Sequence, residues 1–346
     1  MRILITCELF PPDFTGGGET LIYKTAEKLV KSGHEVKVLT TGNPKIKKYK
    51  NIETIRIPVN RYLMNLMSPI IAYYAKDADI IQTTSGNACF PSWLASKISG
   101  KPVCCYVNHI LGKNWKKIKG LLTGTVFELL ERIFLARSYD AIIFQNKSSK
   151  EIGADIGIKK NIFMLQPGLI YEKFHTGKKK PFVLFVGNFS MSKAMIKVKG
   201  LDNLIEAARR MPEVKFLIVG KGSYLNELKK NSTKNILFKG PLTSKQLAPL
   251  YSQALIFCLP SLSEGFGLTI LEAMASGCAI VSTIDLGQKG ILMKSNSPEK
   301  IEHAIKKLIS NYKMTVRLGK RNRALAKRFT WQNFINRLNR IYGLIS

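Results

Sequence analysis

The sequence predicts an α/β protein built from two doubly wound, parallel-sheet domains. Three observations predict it. Short runs of Val, Ile and Leu alternate with helical patterns almost from end to end, and continuous apolar runs of this kind mark strands buried on both faces. The alternation restarts after a stretch rich in turn residues and lysine, which implies two sheets rather than one. The chain has 346 residues, too many for one ordinary core and comfortable for two.

Residues 2–7 read as a first strand, 20–32 as a helix closed by Gly33, and 35–40 as the next strand. Further strands are expected near 54–57, 80–82, 102–108 and 141–145. The second series reads as strand 182–187, helix 201–211, strand 215–219, helix 223–230, strand 236–239, helix 244–252 and strand 254–259. The join is expected near 166–180, where the turn residues of "QPG" and the charge run of "TGKKKP" suit a linker. The tail from Thr330 is helical, with Trp331, Phe334, Leu338 and Tyr342 on one face. The expected domains are therefore 1–168, joined by the 330–346 helix, and 169–329.

Composition excludes several classes. Apolar residues make up 45% and charged residues 22%, so bulk disorder is excluded. The most apolar window, residues 63–75, holds Asn65, Ser68 and Pro69 and falls short of the ~20 residues of a membrane span. The N-terminal apolar run before Glu8 is too short for a signal-peptide core, and a cytoplasmic protein is expected. None of the six cysteines forms a CxxC pair, which argues against a zinc knuckle or a redox dithiol. Cys104, Cys105, Cys258 and Cys278 lie in apolar runs and read as small buried hydrophobes.

In an open parallel sheet, ligands sit at the carboxyl ends of the strands, where helix N-termini bind phosphate. Three segments fall there. "PPDFTGGGET" follows the first strand, and Gly16, Gly17 and Gly18 exceed what a turn needs; they let backbone approach a ligand. "FVGNFSMSKAMIKVKG" runs from Gly187, at a strand end, to Lys199 before the next helix. A lysine there can neutralise a diphosphate, although a lysine in so basic a chain is by itself most often a solvated side chain. "PSLSEGFGLTILEAMASGCAIV" carries Glu264 and Glu272 eight positions apart. Gly265, Phe266 and Gly267 make a tight turn whose N–H groups can face a ligand. An acid at a helix N-terminus accounts for Glu264 by dipole stabilisation alone. Glu272, on the apolar helix "LTILEAMA", is costly if buried without a partner.

These residues resemble the retaining nucleotide-sugar glycosyltransferases of the GT-B fold, specifically glycosyltransferase family 4. The resemblance spans the chain through the glycine loop with Glu19, "GHEVKVLT", "QPGLIYEKF", "FVGN…KG", "FLIVGKG", "LFKGPL", the block with the two glutamates, and "FTWQNFINRLNRIY". It implies two Rossmann-like domains facing across a cleft, the first binding acceptor and the second donor, with the last helix crossing back. It implies that Lys199 binds the donor diphosphate and that Gly265, Phe266 and Gly267, with the following Leu268, offer backbone N–H groups. Glu264 would contact the sugar hydroxyls and Glu272 the ribose hydroxyls. His109, after "VCCYVN", matches the active-site histidine, and Gly17 and Gly18 would approach the phosphates or the acceptor. Gly187, Asn188, Lys193, Gly240 and Pro241 complete the expected donor site, and His109, Glu264 and Lys199 are the expected catalytic residues.

Three departures stand out. Asn188 stands where the family commonly has Arg, so Lys193 or Lys197 is a candidate substitute. The stretch after Val281, "STIDLGQKGILMKSN", is shorter than the family's loop, and "QPG" stands where Asn-Gly is common. Asp77-Ala78-Asp79 has the shape of the metal-binding triplet of the other glycosyltransferase fold, but its place before a strand suits the end of a helix or turn. No metal and no cofactor is expected, and the nucleotide sugar, a uridine diphosphate sugar by frequency, is a substrate. With no carboxylate placed as nucleophile, the implied course is front-face attack assisted by the leaving phosphate. The alternatives are a binding subunit without turnover, and an epimerase or phosphorylase on the same architecture.

The charge balance is 54 Lys and Arg against 23 Asp and Glu, a net +31. Residues 301–346 carry 11 basic residues and one acidic residue. A second cluster joins Lys113, Lys116, Lys117 and Lys119 to Trp115 and an apolar helical run. A basic, aromatic-flanked segment suits an anionic bilayer surface, though a solvated helix edge over a core face would look similar. No nucleic-acid motif or stacking series is present, so nucleic acid is not an expected partner. The sum is a peripheral enzyme at the inner membrane face, acting on a lipid-linked or glycan acceptor.

Overall fold

The computed structural model describes residues 1–13, 16–188, 193–222, 225–230 and 232–346, with backbone alone at 188, 193–195, 221 and 225. The described residues divide into two compact units, one of Met1–Lys116, Gly120–Pro167 and Trp331–Ser346, the other of Lys117–Lys119 and Gly168–Thr330.

The first unit runs β1 (Arg2–Thr6), α1 (Gly17–Lys31), β2 (Glu35–Thr41), β3 (Lys48–Tyr49), β4 (Ile52–Ile57), α2 (Ser68–Ala75), β5 (Ile80–Thr84), α3 (Cys89–Ser99) and β6 (Val103–Tyr106). It continues with α4 (Asn114–Lys119), whose last three residues are counted with the second unit, and then α5 (Leu121–Leu135), β7 (Ala141–Phe144), α6 (Lys147–Asp155) and β8 (Ile162–Met164). The second unit runs β9 (Lys180–Asn188), α7 (Lys193–Lys199), α8 (Leu201–Arg209), β10 (Lys215–Lys221), α9 (Leu225–Lys230), β11 (Ile236–Lys239), α10 (Ser244–Gln253) and β12 (Ala254–Leu259). α11 (Leu268–Ala275), β13 (Ala279–Ser282), β14 (Gly290–Leu292), α12 (Pro298–Ile309) and α13 (Tyr312–Ala326) complete it, and α14 (Trp331–Ile345) returns the chain to the first unit.

The first sheet has the order β3-β4-β2-β1-β5-β6-β7-β8, parallel except for the short edge strand β3. Both faces are covered, as the strand sequences require. Ile3 and Ile5 of β1 pack with α1 and α14, while Leu4 between them packs with α2, α3 and the end of α5. α14 buries Phe334, Ile335, Leu338, Ile341 and Tyr342, and the Tyr342 hydroxyl donates to Oε1 of Gln82 on β5. The second sheet has the order β11-β10-β9-β12-β13-β14 and is parallel throughout. Its central strands β9 and β12 form the core with α8, α11 and α12.

The 166–180 stretch holds the division between the two units, at Pro167 and Gly168, and parts of it are tied into the fold. The Leu169 N–H donates to the Phe329 carbonyl at 2.8 Å. Lys179, within the lysine run, is buried, and its Nζ donates to the carbonyls of Ser276 (2.8 Å) and Tyr251 (3.3 Å). These carbonyls lie at the C-terminal ends of α11 and α10, where the helix dipoles favour a cation. The Asp79 carboxylate accepts from the backbone N–H and guanidinium of Arg2, each at 2.8 Å, which accounts for an acid at the start of β5. All six cysteines are buried thiols.

Phe334→Ala should lower the stability of the first unit by about 3–5 kcal/mol, the cost of emptying a buried aromatic site. Urea titration followed by circular dichroism reads this as a lower midpoint. Trp331→Ala, at a partly buried position, should cost less, and the reverse order would show that α14 is not part of that core.

Candidate active site

The loop between β12 and α11 is the most heavily braced segment among those expected at the site. It runs from Pro260 to Gly267 at the carboxyl end of β12. Gly267 caps α11 at φ +91°, a left-handed conformation that favours glycine. Lys199, the last residue of α7, donates from Nζ to Glu264 Oε1 at 2.6 Å, and the Ser261 hydroxyl donates to the same oxygen at 2.8 Å. Both side chains of this ion pair are largely buried, at 19% and 12% exposure. The backbone makes the pairing possible. Gly200 follows at φ +64°, and a Cβ there would stand 2.1 Å from the Pro260 carbonyl oxygen. The Leu262 N–H donates to the Val198 carbonyl at 2.8 Å, and Asn296 Nδ2 to the Pro260 carbonyl at 3.1 Å. The structure thus brings Lys199 and Glu264 together beside the N-terminus of α11.

Glu272 lies one turn into α11 and is half-buried. Its Oε2 accepts the hydroxyl of Tyr251, on α10, at 2.9 Å. Burial pushes the Glu272 carboxyl up to about 7, and the Tyr251 hydrogen bond partly opposes this. The folded state therefore holds this proton more tightly than the unfolded chain does. Stability from this group is fully present below about 4.5 and falls as pH rises towards 7. A carboxylate kept at that cost is suited to accept hydrogen bonds from a ligand.

The other expected residues of this unit are spread along its carboxyl edge. Gly187 ends the central strand β9. The side chains of Asn188 and Lys193 lie outside the described residues, and Lys197 is exposed on α7. Gly240 and Pro241 follow β11, two strands from β9. Phe266 turns its ring inward, buried and 5.8 Å from the ring of Phe329, so only its backbone is available to a ligand. Leu268 opens α11 and is half-buried. The short loop after β13 is self-braced. Gln288 accepts from the Leu286 N–H and donates to the Ile284 carbonyl, both at 2.6 Å, and the Thr283 hydroxyl donates to the Ser261 carbonyl.

In the first unit, Gly17 and Gly18 open α1 at the carboxyl end of β1, with Gly16 as its extended cap. A Cβ on Gly18 would lie 3.9 Å from Asn108 Nδ2, so the glycine turn sits against the segment that carries His109. Ser85, after β5, holds that segment. Its hydroxyl accepts from the N–H groups of Asn108 (3.1 Å) and His109 (3.2 Å) and donates to the His109 carbonyl (3.0 Å). Glu19 is half-buried in the first turn of α1, where burial raises its carboxyl. Close by in the chain, Glu8 pairs with Arg61 at 2.9 Å and accepts from Asn87 Nδ2 at 2.8 Å. Lys113, Trp115, Lys116, Lys117 and Lys119 fall on or beside α4, past His109.

Sequence reasoning missed Ser261, Tyr251, Thr283 and Asn296 around the glutamate loop, and Ser85 and Glu8 in the first unit. Ser261 stood three residues before Glu264 within the motif, a spacing that permits a side-chain hydrogen bond. Tyr251 meets Glu272 across 21 positions and Asn296 meets Pro260 across 36, separations that carry no local pattern.

Comparison with known proteins bears on this geometry. The family model described as "Glycosyltransferase Family 4" matches residues 15–172, and "Glycosyl transferases group 1" matches 170–325. The phosphatidyl-myo-inositol mannosyltransferase of Mycolicibacterium smegmatis is 24% identical over 100% of this chain and 94% of its own length. The structure of sucrose-phosphate synthase from Thermosynechococcus elongatus superposes with a TM-score of 0.81 at 20% identity, covering 99% of this chain and 98% of its own. Anabaena HepE in complex with UDP-glucose superposes at 0.74 and 17% identity, covering 98% and 99%. These likenesses show the GT-B fold.

Lys199→Ala and Glu264→Ala should each cost about 1–3 kcal/mol, because each leaves a largely buried charge without the opposite charge beside it. The double variant should cost less than their sum by at least ~0.5 kcal/mol. Thermal denaturation of the four proteins closes the cycle, and strict additivity would show that the pair contributes nothing.

Proposed function

We propose that this chain, which belongs to the group 1 and family 4 glycosyltransferases, binds a nucleotide sugar on its second unit and transfers the sugar to a hydroxyl of a lipid-linked acceptor, with retention at the anomeric carbon. The observation that carries the reading is the Lys199–Glu264 pair beside the N-terminus of α11, with Glu272 in the same helix.

In this scheme Glu272 accepts the two ribose hydroxyls, and Lys199 and the N–H groups of Gly265–Leu268 take the diphosphate. Glu264 holds sugar hydroxyls. Lys199 exchanges a carboxylate for a phosphate, so its charge stays compensated throughout. The acceptor oxygen attacks the anomeric carbon from the side of the departing diphosphate. The carbon–oxygen bond to the diphosphate breaks, the new glycosidic bond forms, and the acceptor proton passes to the leaving phosphate. Lys199, the turn amides and the α11 dipole stabilise the charge that develops. The scheme draws its positive charge from these groups rather than from a divalent ion. His109, held through its backbone by Ser85, is assigned to the acceptor side on the first unit.

A uridine nucleotide is supported by the fold likeness to HepE in complex with UDP-glucose. A lipid acceptor is supported by the similarity to phosphatidyl-myo-inositol mannosyltransferase and by the net +31. Peripheral attachment at the inner face is part of this proposal; among the described residues no helix is long and apolar enough to cross a membrane. Incubation with a panel of radiolabelled nucleotide sugars and a phospholipid extract tests the proposal. Label passing into the lipid phase is the expected result. Nucleotide binding without any turnover would instead identify a binding subunit.

The raised Glu272 carboxyl makes donor binding pH-dependent. Ribose hydroxyls need the ionised carboxylate, so nucleoside diphosphate affinity should rise about tenfold between pH 6 and pH 8 as a group near 7 ionises. Calorimetric titration should show Glu272→Gln retaining only the rise due to the nucleotide's own phosphate. Equal pH profiles for parent and variant would remove Glu272 from the ribose site.

A further inference from the structure

Helix α5 is built inside out. Its inward stripe is Gly124, Glu128, Glu131 and Leu135. Gly124 is buried, and a Cβ there would lie 2.5 Å from the Lys116 Cα, so α4 lies directly against it. Glu128 pairs with Lys116 at 3.0 Å. Glu131 accepts the backbone N–H groups of Leu111 (3.0 Å) and Gly112 (2.6 Å). The outward stripe, at the i, i+4, i+7, i+8, i+11 spacing of one helix face, is Leu122, Val126, Leu129, Leu130 and Ile133, with Leu122 84% exposed, Val126 56% and Leu129 55%. Both carboxylates of the helix are thus held on the protein side, and the surface turned outward is apolar.

The neighbouring helices continue the pattern. α3 packs between α2 and α5 on the same face of the first sheet, and Phe90 of α3 stacks on Phe134 of α5 at 5.3 Å. Tyr73 on α2 is 66% exposed and Ile98 on α3 is 60% exposed. Among the described residues, 14 of the 19 exposed large hydrophobic side chains fall between residues 62 and 133. Exposed apolar side chains gathered on neighbouring helices mark an interaction surface. Its surrounding charge is mainly basic: Lys97, Lys117, Arg132 and Arg137 are exposed, and Lys113 is exposed with Asp155 4.0 Å away, while Asp77 lies exposed beyond the end of α2.

We infer that the outer surface of the α2–α3–α5 layer docks on an anionic bilayer by inserting apolar side chains of α5 between the lipid headgroups, with the flanking lysines and arginines on the phosphates. The inference rests on the membrane-acceptor reading above and deepens it. An apolar stripe bordered by cations and cleared of carboxylates matches the interfacial region of an anionic bilayer, where chains lie beneath negative headgroups. Insertion also changes the physics expected from charge alone. Screening at high salt weakens the electrostatic part and leaves the apolar part in place.

The test is sedimentation of the full chain with vesicles of phosphatidylcholine alone and of phosphatidylcholine with 30% phosphatidylglycerol, at ~0.1 M and ~0.5 M NaCl. The parent is compared with Leu122→Gln/Val126→Gln/Leu129→Gln, whose exposed positions leave the core untouched; circular dichroism and nucleoside diphosphate affinity confirm an intact fold. The parent should bind anionic vesicles and keep most of that binding at the higher salt. The triple variant should lose at least tenfold at both. Parent binding abolished by salt, or a triple variant that binds like the parent, would overturn insertion through α5 while leaving the membrane reading intact. No parent binding to anionic vesicles at low salt would overturn both. A parent that runs as a dimer on gel filtration, and a triple variant that runs as a monomer, would assign the face to a second copy and overturn the inference.

Discussion

Everything proposed for the second unit depends on one close approach: the chain at Gly200 passing against the carbonyl of Pro260. A side chain at 200 cannot fit there, and the left-handed φ of Gly200 suits glycine. That contact sets the end of α7 against the loop after β12, which lets Lys199 reach Glu264. Asn296, Thr283 and the Val198–Leu262 hydrogen bond hold the same loop from other sides. The result is a pair of opposite charges placed in advance at a helix N-terminus, where a lysine that exchanges one anionic partner for another can receive an anion.

Preorganisation has a cost, and the second glutamate shows how it is contained. Glu272 is set on an apolar helix, where an ionised carboxyl is poorly solvated. Its carboxyl is raised to about 7, and the Tyr251 hydroxyl supplies one hydrogen bond to the charged form. Glu131 in the first unit solves a similar problem differently, by accepting backbone N–H groups just beyond His109. In both cases a carboxylate that looks misplaced in a helix is tied to a neighbouring segment, the helix α10 for Glu272 and the loop before α4 for Glu131.

The fold was legible because parallel strands buried on both faces must be continuously apolar, and the runs at β1, β6, β9 and β12 are. The return of α14 was legible for a related reason: Phe334, Leu338 and Tyr342 share a face that solvent would not tolerate. The two glutamates were legible through fixed spacing in one segment. The lysine run at 178–180 gave no sign that Lys179 caps two helix ends that are contiguous only in three dimensions. The polarity of α5 was also hidden. From sequence its apolar run suited a bilayer surface and a core face alike, and only the partners of Glu128 and Glu131 show which side the helix turns inward. Tyr251, Asn296 and Ser85 act through long-range pairs, for which a single sequence holds no signal.

The central claim is that the glutamate loop and α11 form a nucleotide-sugar site in which Lys199 changes partners. A crystal structure of the full chain with a nucleoside diphosphate bound tests it most directly. The account predicts Lys199 Nζ within hydrogen-bond distance of a phosphate oxygen, and the Glu272 carboxylate bridging the two ribose hydroxyls. A nucleotide bound elsewhere, with Lys199 still held by Glu264 and Glu272 bonded to Tyr251 alone, would contradict it.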